Sequence, residues 1–364
     1  MNSKVESIDL EVIRADLLKK VNLLRKRKYP FAPINDLAEQ NGISSSNGYD
    51  SLLKKIQQIT KGDVVTILTN FRKALTPEVV KHCLYANKAI SIYKLPDDMN
   101  LNDLEKSLST LTSNCSIDDK YYSIEDEDKV EKDFIARFQP DDDMSIFVYH
   151  DQRSYVFRSK EESANVIDSF NNELDPLDEN QEVLELIKVI KVTIPAFDFV
   201  VLDKKLKILV IDFDLAYVFP KAMINKALDQ LENKIKKIKG LAHLNRLNFR
   251  NAIENMENET DGVVFGHAFC SSGGTFNHLG KTSSKRADVR KDSFFTKGST
   301  GEILDYYGIR KRYNTGKRDC AVTVALSYRE YKASALTPIY IAVLDYMQEA
   351  NDLRHCCKKL LDNS

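Results

Sequence analysis

The chain has 364 residues, of which 43% are hydrophobic and 29% charged, with a formal net charge of −1. That size and composition predict a soluble protein of two or three domains. No apolar run approaches the roughly 20 residues a membrane span needs, and Met1 to Leu10 already contains Lys4, Glu6 and Asp9, so neither an anchor nor a secretory signal is expected.

In chain order, Ile8, Leu10, Ile13, Leu17, Leu18, Val21 and Leu24 recur near a 3.6-residue period and predict a helix ending at Arg25-Lys26-Arg27-Lys28 before Pro30. Pro33 to Ile56 resembles a helix-turn-helix around Gly42. Gly48 stands where such proteins carry a buried aliphatic residue, so a plain helical hairpin is favoured. Val64–Leu68, Ala89–Leu95 and Ser145–Tyr149 read as strands from their β-branched and aromatic content. Thr76-Pro77 predicts a helix start, and Leu101–Leu111 and Val130–Phe138 read as amphipathic helices. Phe197–Leu202 and Leu206–Asp212 predict a hairpin turning at Asp203-Lys204-Lys205. A helix follows over Ala222–Lys239, capped by Gly240, then another over Leu244–Met256. Val263–Phe265 and Ala321–Leu326 read as strands, and Pro338–Leu361 as a terminal helix.

The expected fold is α/β of mixed α+β content, with an N-terminal helical module over 1–61, an acidic α/β segment over 62–190, a central mixed sheet with flanking helices, and a C-terminal α/β segment over 191–364 that carries a basic, glycine-rich window over 262–318. The middle is acidic: Asp118 to Glu185 holds twenty-one acids and seven bases, clustered at Glu125–Asp128, Asp141–Asp143 and Asp175–Glu185. Beyond it, nine of thirteen glycines fall between Gly262 and Gly316, in a basic, glycine-rich loop region. The cations there are Lys281, Lys285, Arg286, Arg290, Lys291, Lys297, Arg310, Lys311, Arg312, Lys317 and Arg318, against four acids. Glycine allows close backbone approach and Lys and Arg supply fixed charge, a combination suited to an anion. Phe294, Phe295, Tyr306, Tyr307 and Tyr313 add rings that would stack on unpaired bases. Nucleic acid is therefore the expected partner, DNA and RNA being equally compatible. Opposed acidic and basic faces would also suit a homo-oligomer.

Two sets of residues would suit catalysis. On the predicted hairpin, Asp198, Asp212 and Asp214 fall on one face and could bind Mg²⁺ or Mn²⁺. The order Pro195, Asp198, hairpin, Asp212-Phe213-Asp214 is similar to the PD-(D/E)xK nuclease pattern. That resemblance implies a metal-dependent nuclease, but the family's lysine position, two residues after the second acid, holds Asp214. The alternative is that these acids are ordinary hairpin-end surface.

In the glycine window, His267, Cys270 and His278 would suit zinc without an evident fourth ligand, and Cys270 or Ser271 a nucleophile. His82-Cys83 and His355-Cys356-Cys357 are further candidates that lone helical positions make structural. The six cysteines form no CxxC pair, which predicts reduced thiols and a cytoplasmic setting.

The stretch from Ile194 through the hairpin to Ala227, about a tenth of the chain, resembles in its hydrophobic spacing the core of the accessory protein of the Kiwa anti-phage system. The resemblance implies a place in prokaryotic anti-phage defence and carries no individual residue. Three functions thus stand: nucleic-acid binding, a metal-dependent nuclease, and a non-catalytic self-assembling protein.

Overall fold

Helices come first: α1 (Asn2–Lys26), α2 (Phe31–Gln40), α3 (Tyr49–Gln58) and α4 (Val64–Tyr85). The computed structural model describes residues 2–60, 62–112, 133–160, 187–215, 221–272, 276–281, 288–316, 318–334 and 336–364. After α4 come β1 (Lys88–Lys94), α5 (Leu101–Ser109), β2 (Asp133–Asp141), β3 (Met144–Lys160), β4 (Ile187–Asp203) and β5 (Ile208–Asp214). The C-terminal half adds α6 (Lys221–Ile235), α7 (Ala252–Asn258), β6 (Val263–Ser271), β7 (Phe276–Lys281) and α8 (Ser293–Ser299). Last are β8 (Leu304–Asn314), β9 (Asp319–Ala325), α9 (Tyr328–Ala333), β10 (Ala342–Asp345) and α10 (Ala350–Asn363).

The strands form one sheet in the order β2-β3-β4-β5-β1-β10-β9-β8-β6-β7. Every described pair is antiparallel, where a mixed sheet was expected. The expected boundary at 190/191 falls inside β4, whose ladder with β3 joins the two segments. Strand β1 lies at the centre, between β5 and β10, and is buried from Lys88 to Tyr93. A strand covered on both faces needs apolar residues on both, which explains its unbroken Ala89-Ile90-Ser91-Ile92-Tyr93 run.

Its two faces feed two cores. Ile90 and Ile92 join Val201, Val210, Val322 and Leu344 in a core that also contains α1, α4, α7 and α10 side chains such as Leu24, Phe71, Ile253 and Leu360. Ala89 and Tyr93 join Val200, Leu209, Ile211 and Phe213 under Leu104 and Leu108 of α5 and Leu228 and Leu231 of α6. This second core reaches Val343 on β10 and, among the described residues, takes nothing from β9, β8 or β6. One face of the β9-β8-β6 part of the sheet is therefore left without that cover.

Several elements differ from expectation. Val64–Leu68 opens α4 instead of forming a strand, because the Asp63 carboxylate accepts from the Thr66 N–H (3.1 Å) and hydroxyl (2.6 Å). That cap and burial of Leu68 outweigh the β-branched preference. Pro77 lies inside the same helix. Val130–Phe138, expected helical, becomes β2 from Asp133, with Phe134, Ile135 and Ala136 buried. The predicted terminal helix divides into β10 and α10 around Tyr346, whose φ of 68° cannot continue either element. The glycine-rich loop region contains the strands β6, β7 and β8 and the short helix α8 among its described residues. The expected helical hairpin is α2 and α3, with Gly42 at φ 87° in the turn. No helix among the described residues is long and apolar enough to cross a membrane.

Candidate functional site

The three hairpin aspartates do meet, in the interior. The β4–β5 ladder runs from Asp203↔Ile208 to Val200↔Ile211. Beyond it, carboxylates replace ladder bonds: Asp212 accepts from the Phe199 N–H (2.5 Å), Asp214 from the Phe197 N–H (2.9 Å), and Asp198 from the Asp214 N–H (2.8 Å). Three cations from three other elements close the cluster. Arg27, just past α1, makes a two-pronged pair with Asp214 at 2.7 and 2.9 Å and donates to the Pro195 carbonyl. Lys88, opposite Asp214 in the β1–β5 register, donates to the Phe197 and Cys83 carbonyls and lies 3.4 Å from Asp212 and 3.7 Å from Asp214. Arg153 of β3 pairs with Asp198 and covers the Phe213 ring at 3.8 Å.

All six residues are buried. Burial would raise the Asp214 carboxyl, but Arg27 and Lys88 pull it well below the usual carboxylate range. Burial drives the Asp212 carboxyl well above it, with Lys88 opposing less effectively from one side. The lysine missing from the nuclease-like spacing is thus replaced in space by Lys88, yet the set is sealed from solvent and its carboxylates are engaged by backbone and cations. Among the described residues, no group of three or more His, Cys, Asp or Glu side chains is arranged to hold a metal ion. The cluster therefore has the character of a polar tie between α1 and the sheet. Sequence reading missed Lys88 and Arg153 altogether. Lys88 heading an apolar strand was the available signal.

The eleven basic residues of the window divide into distinct groups. Arg290 pairs with Asp288 (2.7 Å) and donates to the Glu257, Glu259 and Gly262 carbonyls. Lys311 is buried, donating to Glu259 (3.0 Å) and the Met256 carbonyl (2.7 Å), so α7 and β8 are fastened together by it. Arg318 contacts Gln348, Glu349 and Asp352. Lys291 and Lys297 are exposed. Arg310 and Arg312 stand side by side on the less covered sheet face, both over the Phe265 ring, at 5.1 and 4.7 Å. Arg310 also lies 3.5 Å from Asp345, whereas Arg312 has no acidic partner among the described residues. Lys285, Arg286 and Lys317 lie outside the described residues, as does the side chain of Lys281.

The aromatic residues are placed for packing. Tyr307 and Tyr313 are buried, and the Tyr313 hydroxyl donates to Glu259 (2.8 Å). Phe295 and Tyr306 flank His267, whose Nε2 is 2.6 Å from Glu257. That histidine is held by α7, not displayed. Cys270 is half-buried in β6, and the His278 and Phe294 side chains lie outside the described residues. Cys356 and Cys357 are buried in α10. Of the acidic stretches, Glu125–Asp128 and Asp175–Glu185 fall outside the described residues, apart from which Asp141 is paired with Arg354.

A cleft of about 600 Å³ opens between the helical layer and the sheet. Arg27, Lys28 and Tyr29 line it from the end of α1, Lys81 and His82 from α4, and Asp345, Tyr346 and Gln348 from the end of β10. Burial, reinforced by the charge of Arg27, pushes His82 down to about 3 and keeps it neutral. The cleft adjoins the basic window through two of its own residues: Asp345 pairs with Arg310, and Gln348 accepts from Arg318. A second opening, about 430 Å³, lies at the other margin, with Lys291 beside Val263, the register partner of Arg312.

Compared with models of known protein families and with curated protein sequences, the chain matches none.

Proposed function

We propose that the protein binds nucleic acid through the less covered face of β8, β9 and β6, with Arg310 and Arg312 as the central phosphate contacts and Lys291 and Lys297 extending the surface. The carrying observation is the pair of guanidinium groups on Phe265, two positions apart on one strand. Alternate residues of a strand share a face, about 7 Å apart, close to the spacing of phosphates along a strand of nucleic acid. Phe265 restrains both guanidinium groups without neutralising them, so less freedom is lost on binding. The buried cations Lys311 and Arg27 take no part. The resemblance of the 194–227 stretch is what supports a setting in prokaryotic anti-phage defence.

The test is a titration of labelled single-stranded and duplex oligonucleotides at several salt concentrations. Affinity is expected to fall linearly on a log–log plot, and Arg310→Ala/Arg312→Ala to reduce the slope by about 1.4–1.8. An unchanged slope in a folded double variant would remove these residues from the interface.

A further inference from the structure

We propose that the cleft between α1, α4 and the end of β10 is a separate site for a nucleoside phosphate, in which the Tyr346 ring stacks on the base, Asn87 and Gln348 present amides to its edge, and Lys28 and Lys81 take the phosphate. The volume of about 600 Å³ lies within the range of small-ligand sites.

Backbone conformation is the first support. Among the described residues, three that are not glycine have positive φ: Lys28 (56°), Lys207 (50°) and Tyr346 (68°). Lys207 lies in the β4–β5 turn, but Lys28 and Tyr346 both line this cleft. Bulky side chains disfavour that conformation, and where it persists the surrounding structure enforces it. At Tyr346 the enforcement is visible: Asp345 and Met347 on either side are 8% and 3% exposed, while the Tyr346 ring between them is 56% exposed. An exposed aromatic ring at a pocket mouth is a stacking platform for a base.

Unused polar groups are the second support. Nε2 of His82 is buried without a hydrogen-bond partner, and its ring is held edge-on to Tyr29, with centroids 4.9 Å apart. Such an atom is ordinarily satisfied, and the His82 ring would have to turn toward the cleft to meet a ligand hydroxyl. Electrostatics favour an anion. The lining carries Arg27, Lys28 and Lys81 against Glu78 and Asp345, and both acids are paired, Glu78 with Lys81 (3.0 Å) and the Tyr29 hydroxyl (3.3 Å), Asp345 with Arg310. Free phosphate would use the cations alone; the ring and the amides call for a base as well.

The test is calorimetric titration of the full chain with AMP, ATP, UMP, adenosine and inorganic phosphate. AMP is expected to bind at least tenfold more tightly than either adenosine or inorganic phosphate. Tyr346→Gly relieves the positive φ while deleting the ring, so the protein should remain folded and lose at least tenfold in AMP affinity, with Tyr346→Phe close to the parent. Lys81→Ala, at an exposed position, should weaken AMP and ATP but leave adenosine unchanged, and it reads the same site should the glycine variant fail to fold. The proposal is overturned by the absence of nucleotide binding, by AMP binding indifferent to Tyr346→Gly and Lys81→Ala, or by phosphate binding as tightly as AMP. These probes carry at most three phosphates and do not require the extended sheet face, so the oligonucleotide result stands or falls independently.

Discussion

The β4-β5-β1 centre of the sheet and its β9-β8-β6 flank both concentrate charge, and they use it in opposite ways. At the centre, Arg27, Lys88 and Arg153 are matched with Asp198, Asp212 and Asp214 and sealed between two cores. At the flank, where α5 and α6 give no cover among the described residues, Arg310 and Arg312 lie over a phenylalanine with one acid, Asp345, 3.5 Å from Arg310. Charge sealed inside fixes how elements dock; charge held near solvent remains available to a ligand. Residue type alone does not separate the two, because cover by neighbouring elements decides.

The largest break in that comparison is expected at Arg27. Arg27→Ala leaves Asp214 buried with only part of its neutralising charge, and should cost about 3–5 kcal/mol in urea unfolding. Arg25→Ala, two residues earlier, removes only the exposed pair with Asp50 and should cost under about 1 kcal/mol. Equal effects would mean that the cluster does not hold α1 to the sheet.

Next is the pH dependence of His82. Its folded value of about 3 lies below the ordinary 6.5, so the unfolded chain takes up the proton first as pH falls. Stability from this group is present above pH 6.5 and declines toward pH 3, by about 1.4 kcal/mol per unit. Asp212, raised by burial, acts in the opposite sense: what it contributes is lost as pH rises through its folded value. His82→Gln should therefore flatten only the first slope, seen as the difference between the two proteins' unfolding curves across that range. A difference independent of pH would show that His82 titrates alike in the folded and unfolded chains.

Within the basic window, Lys311→Met should cost about 1–3 kcal/mol, because Glu259 and the Met256 carbonyl lose a buried donor. Lys291→Met, at an exposed position, should change stability by no more than about 0.5 kcal/mol. Thermal unfolding of the pair separates structural from available cations within a single stretch of sequence.

How much of this could be read from the chain follows the range of the interactions. The β4–β5 hairpin, β1, α5 and α6 were legible, since local periodicity and turn residues determine them. The mixed α+β class and the N-terminal helices were legible on the same grounds. The helical fate of Val64–Leu68 depended on the Asp63 cap, and the strand at 133–141 on pairing with β3. At the candidate sites, the three aspartates were recognised as a group, but their cations arrive from residues 27, 88 and 153, which no local pattern connects to them. The cleft was illegible for the same reason, being assembled from α1, α4 and β10. Tyr346 carried no sequence signal at all, because its positive φ is imposed by the packing around it.

The measurement that bears most directly on the flank's role is the salt dependence of oligonucleotide binding by the parent chain and by Arg310→Ala/Arg312→Ala. Binding is expected to weaken steeply with salt, and the double variant to stay folded with a slope smaller by about 1.4–1.8. Binding of equal affinity and slope in both proteins would contradict that role.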